Sequence, residues 1–577
     1  MNKKIIIIVL SIVAAIVAIF GAIAIYYKNQ IANAPTMQKL SEAYPWTVPD
    51  DWFKTDTITL KGRIEDYDAE KFGFTSMECS FYDVFESDQS TVLLLNIAED
   101  GTFCKKFLCS YPVQQVFFTT DSKVSFHRIP FFARPGETID VTVHKGSLGR
   151  YECIYNSGSS KDVERWLRTS DELAKYFSPL WHFEGTFDEA NEVADMTWKM
   201  VMLKLQKLIR SEHYTPMEVQ LALADAQARF GQDYLGCIVK QADALVNYEK
   251  CDSLGRVEIL DSAEWKKYND AETYAPLRRI DFDNPLLFAS YHFYLLQNRI
   301  EFARPLATSS IVLSFESYSK HLTDYLAALR NLMGDDHDKQ GSVTEGKANL
   351  MAQLCAYKDF AFLFDNFRED GAAYQYVLNN TQLTEEQKQR NIDGWPTLAK
   401  MMPLYLDAFK HPYFRQKAEQ FRDRKLSQKD LVTQLPYTPA AEMIRTLADK
   451  YPGKFLFIDF WGMSCGPCRA AIQQSKELRA EIAKRDDVKL IFIAEENTPD
   501  GSDAYKKYVA EWLAGEEAVC VTNADFSRLQ EMFEFNGIPH YETITPDGYR
   551  VSEDYRLQGY ENFVEQFEKL KEKLLHN

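Results

Sequence analysis

With 577 residues, 46% hydrophobic and 26% charged, the chain has enough length for about three or four domains of roughly 150 residues, each able to bury a sizeable core. The formal net charge of −18 is spread along the sequence without a long block of one sign. So acidic a surface repels a polyanion, which argues against nucleic acid as a partner.

The chain opens MNKKIIIIVLSIVAAIVAIFGAIAIYYKNQ, and from Ile5 to Tyr26 no residue is charged. As a helix rising ~1.5 Å per residue, that run reaches roughly 33 Å, just over a hydrocarbon core of about 30 Å. The expectation is a transmembrane signal anchor over 1–28. Lys3 and Lys4 precede it, so the positive-inside rule keeps the N-terminus in the cytoplasm. In a bacterium this means a single pass through the inner membrane with the bulk of the chain periplasmic. A cleaved signal peptide ending near IANAP at 31–35 competes, but the apolar run exceeds the ~7–15 residues usual there. Disulfides persist in such a compartment. Of ten cysteines, eight (Cys79, Cys104, Cys109, Cys153, Cys237, Cys251, Cys355 and Cys520) are irregularly spaced and read mostly as small buried hydrophobes. Cys104 and Cys109 stand five apart, which on a strand puts them on opposite faces and disfavours a bond between them.

Residues 29–54, with Pro35, Pro45 and Pro49, read as a linker. From 55 to 158 the texture is strands: TITLKGRI at 57–64, TVLLLNI at 91–97, VQQVFFTT at 113–120 and ETIDVTV at 137–143. Asp100-Gly101 and Pro135-Gly136 suit hairpin turns, so a small antiparallel β-domain is predicted. From 159 to 431 apolar residues recur at helical spacing, as in Val163, Trp166, Leu167, Leu173, Tyr176 and Phe177, and again from Phe315 to Met333. Asn284-Pro285 gives an N-cap and a first-turn proline, and a mainly α-helical middle domain is predicted. DHDKQGSVTEGK at 336–347 imitates a calcium loop but has Gln340 and Lys347 where an EF-hand needs Asp or Asn and then Glu. His182, His292 and His321 stand singly, and none has the spacing of a zinc enzyme. Neither a metal nor a cofactor is expected.

From 432 to 577 strand and helix patterns alternate: FLFIDFW, CRAAIQQSKELRAEIA, VKLIFIAE, DAYKKYVAEWL. That alternation implies βαβ units and a mainly parallel sheet. At the first strand-to-helix junction, FIDFWGMSCGPCR places Cys465 and Cys468 two residues apart, the redox-type C-x-x-C. A free thiol has a pKa near 8.5, and the N–H groups and dipole of a helix N-terminus lower it toward about 7. Cys465 is therefore expected to be the attacking thiolate. Pro467 fits the first turn, where its missing N–H is not needed, and Cys468, one turn further in, should be buried.

FIDFWGMSCGPCR and NGIPHYETITPDG at 536–548 together resemble the two signatures of the thioredoxin family. The resemblance covers about a quarter of the chain. With the membrane anchor and the helix around 503–514, it looks most like envelope-tethered thiol-disulfide oxidoreductases of the TlpA/ResA type. It implies Cys465 as nucleophile, Cys468 as resolving cysteine and Asp459 as the buried acid handling the second thiol's proton. Substrate would bind at Trp461, Gly466, Pro467, Ile538 and Pro539, the last in cis. FFARPGETIDVTV and YNSGSS resemble the N-terminal domain preceding such modules in some bacterial envelope proteins. Departures from thioredoxin are Ser464 for Trp before the first cysteine, Arg469 for Lys after the second, and His540 for Thr after the cis-proline, which together imply an altered docking surface. Ala470 and Ala471 stand where envelope members often have Glu, with Glu495 as the replacement candidate.

A zinc site lacks a second C-x-x-C, and a purely structural disulfide leaves Asp459 and Ile538-Pro539 without a reason. Gly462 and Ile458 stand where peroxiredoxin chemistry wants Thr and Pro. The expected fold is thus multidomain: N-terminal transmembrane helix, small antiparallel β-domain, mainly α-helical middle domain, C-terminal α/β thioredoxin-like domain. The expected partners are disulfide-bearing envelope proteins and an electron donor. The alternative is an envelope binding or assembly module whose dithiol is regulatory or vestigial.

Overall fold

Strands over residues 56–157, some with period-two burial such as Ser76–Phe81 and Thr138–Lys145, build two four-stranded sheets. β1 (Asp56–Ile64), β2 (Ser76–Phe81), β3 (Thr91–Asn96), β4 (Thr102–Cys109), β5 (Val113–Phe118), β6 (Arg128–Ala133), β7 (Thr138–Lys145) and β8 (Tyr151–Ser157) assemble in the orders β4-β1-β7-β8 and β3-β2-β5-β6. The inner faces meet where Phe107 of β4 lies against Phe81 of β2 and Phe131 of β6, at centroid distances of 5.1 and 6.1 Å. The expected all-antiparallel arrangement is corrected at one pair: β1 and β7 run parallel. Asp100-Gly101 and Pro135-Gly136 are turns, with glycine φ of 82° and 87°. The Asp100-Gly101 turn closes a short antiparallel bridge, Ile97 to Phe103, but beyond it each turn hands the chain from one sheet to the other, β3 to β4 and β6 to β7. Cys104 is exposed and Cys109 buried, and both are thiols.

The structure is a computed structural model that describes residues 29–577 apart from 87–89, 148, 252–256, 302, 304–348, 367–371, 396, 398, 400–401, 404–405, 408, 428–430, 497–500, 554 and 576–577. The apolar segment at 5–26, the stripe from Phe315 to Met333, His321 and the loop at 336–347 lie outside the described residues. Among the described residues no helix is long and apolar enough to cross a membrane.

Helical spacing beyond residue 158 is realised. Val163, Trp166, Leu167, Leu173 and Phe177 are buried along the helices Glu164–Thr169, Ser170–Leu173 and Ala174–His182. Capping boxes at Thr186/Glu189 and Thr215/Glu218 start the long helices α1 (Phe187–Ser211) and α2 (Pro216–Asp243). A short hairpin, β9 (Val246–Cys251) and β10 (Val257–Ile259), follows. Asn284 caps as expected, accepting the Leu286 N–H at 3.0 Å. The turn Pro285–Ala289 is nonetheless 3₁₀ and stops at Ser290, whose hydroxyl donates to the buried Asp225 at 2.6 Å. His182 is exposed, and the His292 ring bonds Gln232 at 2.8 Å.

The stretch read as a linker is packed. Met37–Ala43 is helical, with Ser41 donating to Gln220 on α2 at 3.0 Å. Trp52 is 2% exposed and donates its indole N–H to the Pro285 carbonyl at 3.0 Å. The sheets and helices share one core, in which Phe85 meets Tyr357 and Phe414 and Tyr111 meets Phe288, at 5.0, 5.0 and 5.4 Å.

The C-terminal region has its own sheet. β11 (Val432–Gln434), β12 (Phe455–Trp461), β13 (Val488–Glu495), β14 (Glu517–Val521), β15 (His540–Ile544) and β16 (Tyr549–Val551) lie in the order β11-β16-β15-β12-β13-β14. β12, β13 and β14 are parallel, with β15 antiparallel to β12. Helices cover both faces: α3 (Pro439–Lys450) and α7 (Asn523–Phe533) pack on Ile458, Phe460, Ile491 and Ile493. α4 (Gly466–Gln474), α5 (Lys476–Ile482), α6 (Asp503–Trp512) and α8 (Phe563–Leu575) pack on Phe457, Trp461, Leu490 and Phe492. This is a thioredoxin-like arrangement.

Trp52→Ala removes a buried ring and its hydrogen bond, so the core shared by sheets and helices should lose about 3–5 kcal/mol in denaturant unfolding. A residue in a solvated linker would change stability by no more than about 0.5 kcal/mol.

Candidate active site

The apolar run Phe455–Trp461 is buried on both sides of the sheet, and its period of two decides what each residue faces. Leu456, Ile458 and Phe460 point to α3 and α7, whereas Phe457 and Trp461, and Asp459 between them, take the side of α4 and α8. Cys468 lies in that second layer, 1% exposed. One strand residue thus places a carboxyl on the same side of the sheet as the inner cysteine.

The turn after β12 ends at Cys465, the N-cap of α4, in extended backbone with φ −84° and ψ 103°. Its Sγ accepts the Cys468 N–H at 3.1 Å, so the first cysteine's sulfur takes up an orphan donor of the helix. Pro467 sits in the first turn. The two sulfurs are joined as a disulfide, with Cα atoms 5.3 Å apart. Opposite them the Ile538-Pro539 bond is cis, and the Ile538 carbonyl oxygen lies 3.6 Å from Cys465 Sγ. Gly462 allows this approach, because a β-carbon there would stand 3.3 Å from Ile538 Cδ1. Ser464, Gly466, Pro467, Gly537 and Pro539 are exposed around the half-buried Cys465 and Ile538. The sequence-derived dithiol and cis-proline residues therefore converge on one surface.

Trp461 is a correction. Expected among the substrate-binding residues, it is fully buried, its ring 5.7 Å from Tyr505 and 5.3 Å from Tyr508, and it supports the dithiol turn from beneath. His540 is a second. Its ring points inward, stacks on Phe535 at 4.0 Å and bonds Glu542 at 2.9 Å, so it changes the support of the loop and not its docking surface. Glu542 is fully buried and also accepts from Arg550 at 2.8 Å and Arg556 at 2.7 Å. Burial raises its pKa, but those partners outweigh burial and hold the carboxyl below its usual value. Glu495 ends β13, and its surroundings hold Glu78 and Glu496, with burial first and those charges next in raising its pKa.

Asp459 is 1% exposed, and burial pushes its pKa up to about 7, against the hydrogen bond from Tyr560 and the nearby Arg479 charge. Tyr560 donates to Oδ2 at 2.7 Å. Oδ1 is buried with no hydrogen-bond partner among the described residues. Tyr560 lies 101 residues further on, and no local signal in the sequence announces it. Arg479, 1% exposed, was equally hidden. It pairs with Glu516, takes the Ile472 carbonyl at 3.0 Å and the Trp512 carbonyl at 2.9 Å, and donates to Ser475 Oγ at 3.2 Å. Ser475 divides what reads as one helix into α4 and α5, its hydroxyl turned back on Ile472 at 3.4 Å.

Asp459's folded value of about 7 stands above the ~3.9 of an unfolded aspartate. Its contribution to stability is therefore complete below about pH 4 and lost as pH rises through about 7. With the disulfide intact, Asp459→Asn should gain about 2–3 kcal/mol on wild type between pH 5 and pH 8, measured by urea unfolding. Tyr560→Phe, which removes a donor to the carboxylate, should move that window to higher pH.

No family model and no curated protein matches the chain. Among solved structures, the thioredoxin domain of a thiol-disulfide oxidoreductase from Bacteroides vulgatus is 24% identical, covering 21% of this chain and 82% of that one, with TM-score 0.18. A thiol:disulfide interchange protein from Bacteroides sp. is 22% identical over 21% of this chain and 76% of its own, with TM-score 0.18. A thioredoxin-like protein from Bacteroides caccae is 11% identical over 49% of this chain and 94% of its own, with TM-score 0.20. The thioredoxin-like description of residues 432–577 rests on the strand order, the disulfide at a helix N-terminus and the cis Ile538-Pro539 bond facing it.

Proposed function

We propose that the chain is an envelope thiol-disulfide oxidoreductase of the membrane-anchored TlpA/ResA type that reduces disulfides in protein clients. The observation that carries this reading is the Cys465–Cys468 disulfide, its outer sulfur at a helix N-terminus and 3.6 Å from the carbonyl before a cis-proline. In the reduced enzyme the Cys465 thiolate attacks one client sulfur, forms a mixed disulfide and releases the other client sulfur as a thiolate that takes a proton. Cys468 passes its proton to Asp459 and attacks Cys465 Sγ, which expels the second client thiolate and leaves the enzyme oxidised. A carboxyl with pKa of about 7 matches that transfer near neutral pH. Two electrons and two protons from a separate donor restore the dithiol. The Gly-Pro dipeptide, as in thioredoxin, favours the reducing direction, toward potentials of about −270 mV and away from the roughly −120 mV of strong oxidants.

The apolar segment at 5–26 supports an inner-membrane anchor with the dithiol in the periplasm. Pro539, Gly466 and Pro467, exposed around Cys465, form the client-facing surface. The competing reading, an envelope binding or assembly module, draws on the large core shared by the β-rich and helical parts.

Cys465→Ser should bring disulfide reduction to the uncatalysed background, and Cys468→Ser should arrest clients as mixed disulfides on Cys465, read as adducts by mass spectrometry. Turnover by Cys465→Ser equal to wild type, or no adduct on Cys468→Ser, leaves the binding-module reading.

A further inference from the structure

The cis-proline loop is held at its far end within its own domain, where His540 is clamped between Phe535 and Glu542. At its near end the holding groups come from elsewhere in the chain. Asn536 donates its side-chain amide to Ser80 Oγ at 2.7 Å and to Ser90 Oγ at 3.2 Å. Ser80 belongs to β2, and Ser90 immediately precedes β3. The helix leading into the loop is fastened to that sheet and, through Lys105 of β4, to the facing one. Glu531 of α7 accepts the Leu94 N–H at 2.8 Å and pairs with Lys105, while the Ser527 hydroxyl donates to Glu78. Leu94 lies on β3, the edge strand of its sheet, so this outward-facing donor would otherwise be left to solvent. Between the two anchors, Gly537 and Pro539 are exposed, and a β-carbon on Gly537 would meet nothing within 4 Å. Ile538 packs its side chain against both apolar layers of the sheet, but no packing fixes Gly537 before it.

We propose that the β-rich region is a working part of the active site: Ser80 and Ser90, through Asn536, hold the cis-proline loop in place for a protein client. Asn536 is then a positioning residue, standing two before the Ile538 carbonyl that faces Cys465. The inference rests on the oxidoreductase reading. A protein client laid along the loop needs its backbone edge preorganised, because any ordering left to the moment of binding is subtracted from affinity. A small disulfide needs only access to Cys465. The β-rich region should therefore govern which disulfides are reduced well and leave the chemistry of the dithiol alone.

The test uses the full chain carrying Ser80→Ala together with Ser90→Ala, assayed on insulin and on 5,5′-dithiobis(2-nitrobenzoate). For insulin kcat/KM should fall about tenfold, mainly through KM, the scale of a lost pair of side-chain hydrogen bonds. Reduction of the small disulfide should stay within about twofold of wild type, a difference well under the size of one hydrogen bond. Adding Asn536→Ala should bring no further loss, because the pair is already broken. Hydrogen exchange at the Gly537 and Ile538 amides should rise in both variants. An insulin rate equal to wild type overturns the proposal, and so does an equal fall for both substrates. Wild-type protein that reduces neither substrate removes the oxidoreductase reading itself. Unchanged exchange at Gly537 and Ile538 removes the tether independently.

Discussion

A carboxyl group sealed inside an apolar layer is the constraint around which the C-terminal region is built. Transferring a charge from water to such a place is costly, so Asp459 stays protonated up to about pH 7 instead of ionising near 4. The surroundings offset only part of the burial: one donated bond from Tyr560, and Arg479 at a remove, its own charge largely taken up by Glu516. Complete neutralisation of Asp459 by a direct cation would have returned it to the range of a surface aspartate. The opposite treatment is given to Glu542, on the neighbouring strand, where two arginines and an imidazole hold the carboxyl ionised. Two buried acids in one sheet thus do different work. Asp459 can exchange a proton near neutral pH, while Glu542 is a fixed charge that anchors the cis-proline loop.

The first cysteine uses a helix terminus in a complementary way. Cys465 Sγ accepts the Cys468 N–H and stands where the dipole favours negative charge. Cys468, inside the first turn and 1% exposed, has apolar neighbours, and Asp459 is on the same side of the sheet. In the mechanism proposed above, this difference in surroundings suits the outer sulfur to attack and the inner one to resolve. That asymmetry follows from a single local fact, the position of the helix start between Cys465 and Gly466.

What the sequence made legible was local. FLFIDFW and VKLIFIAE are strands with the bounds Phe455–Trp461 and Val488–Glu495, because a run of apolar residues with β-branched and aromatic members fits a buried parallel strand and little else. The helix start at Cys465 was legible for the same reason, since Gly-Pro at its first turn is local chemistry. What stayed hidden depended on distant partners. The Tyr560 hydroxyl reaches Asp459 across 101 positions, and Trp52 reaches Pro285 across 233. Trp461 was expected at the substrate surface from the family resemblance, but strand periodicity sends its ring inward, under Tyr505 and Tyr508. The turns at Gly101 and Gly136 were legible as reversals. Which sheet the returning strand joins is decided by packing between sheets, of which a turn carries no trace.

The edge strand β3 ties these levels together. An unpaired sheet edge is a liability that proteins cover, blunt or pair. Here a helix of the thioredoxin-like region covers it, and it does so with polar groups, Glu531 on Leu94 and Lys105 and Ser527 on Glu78, while the hydrophobic clusters of the two regions remain separate. A polar contact of this kind adds little to the stability of either side, as a few partly exposed hydrogen bonds contribute about 1 kcal/mol each. It is directional, however, and direction matters for a loop with no packing of its own at Gly537. The docking of α7 on β3 therefore sets where the cis-proline loop begins, and the His540–Glu542 anchor sets where it ends.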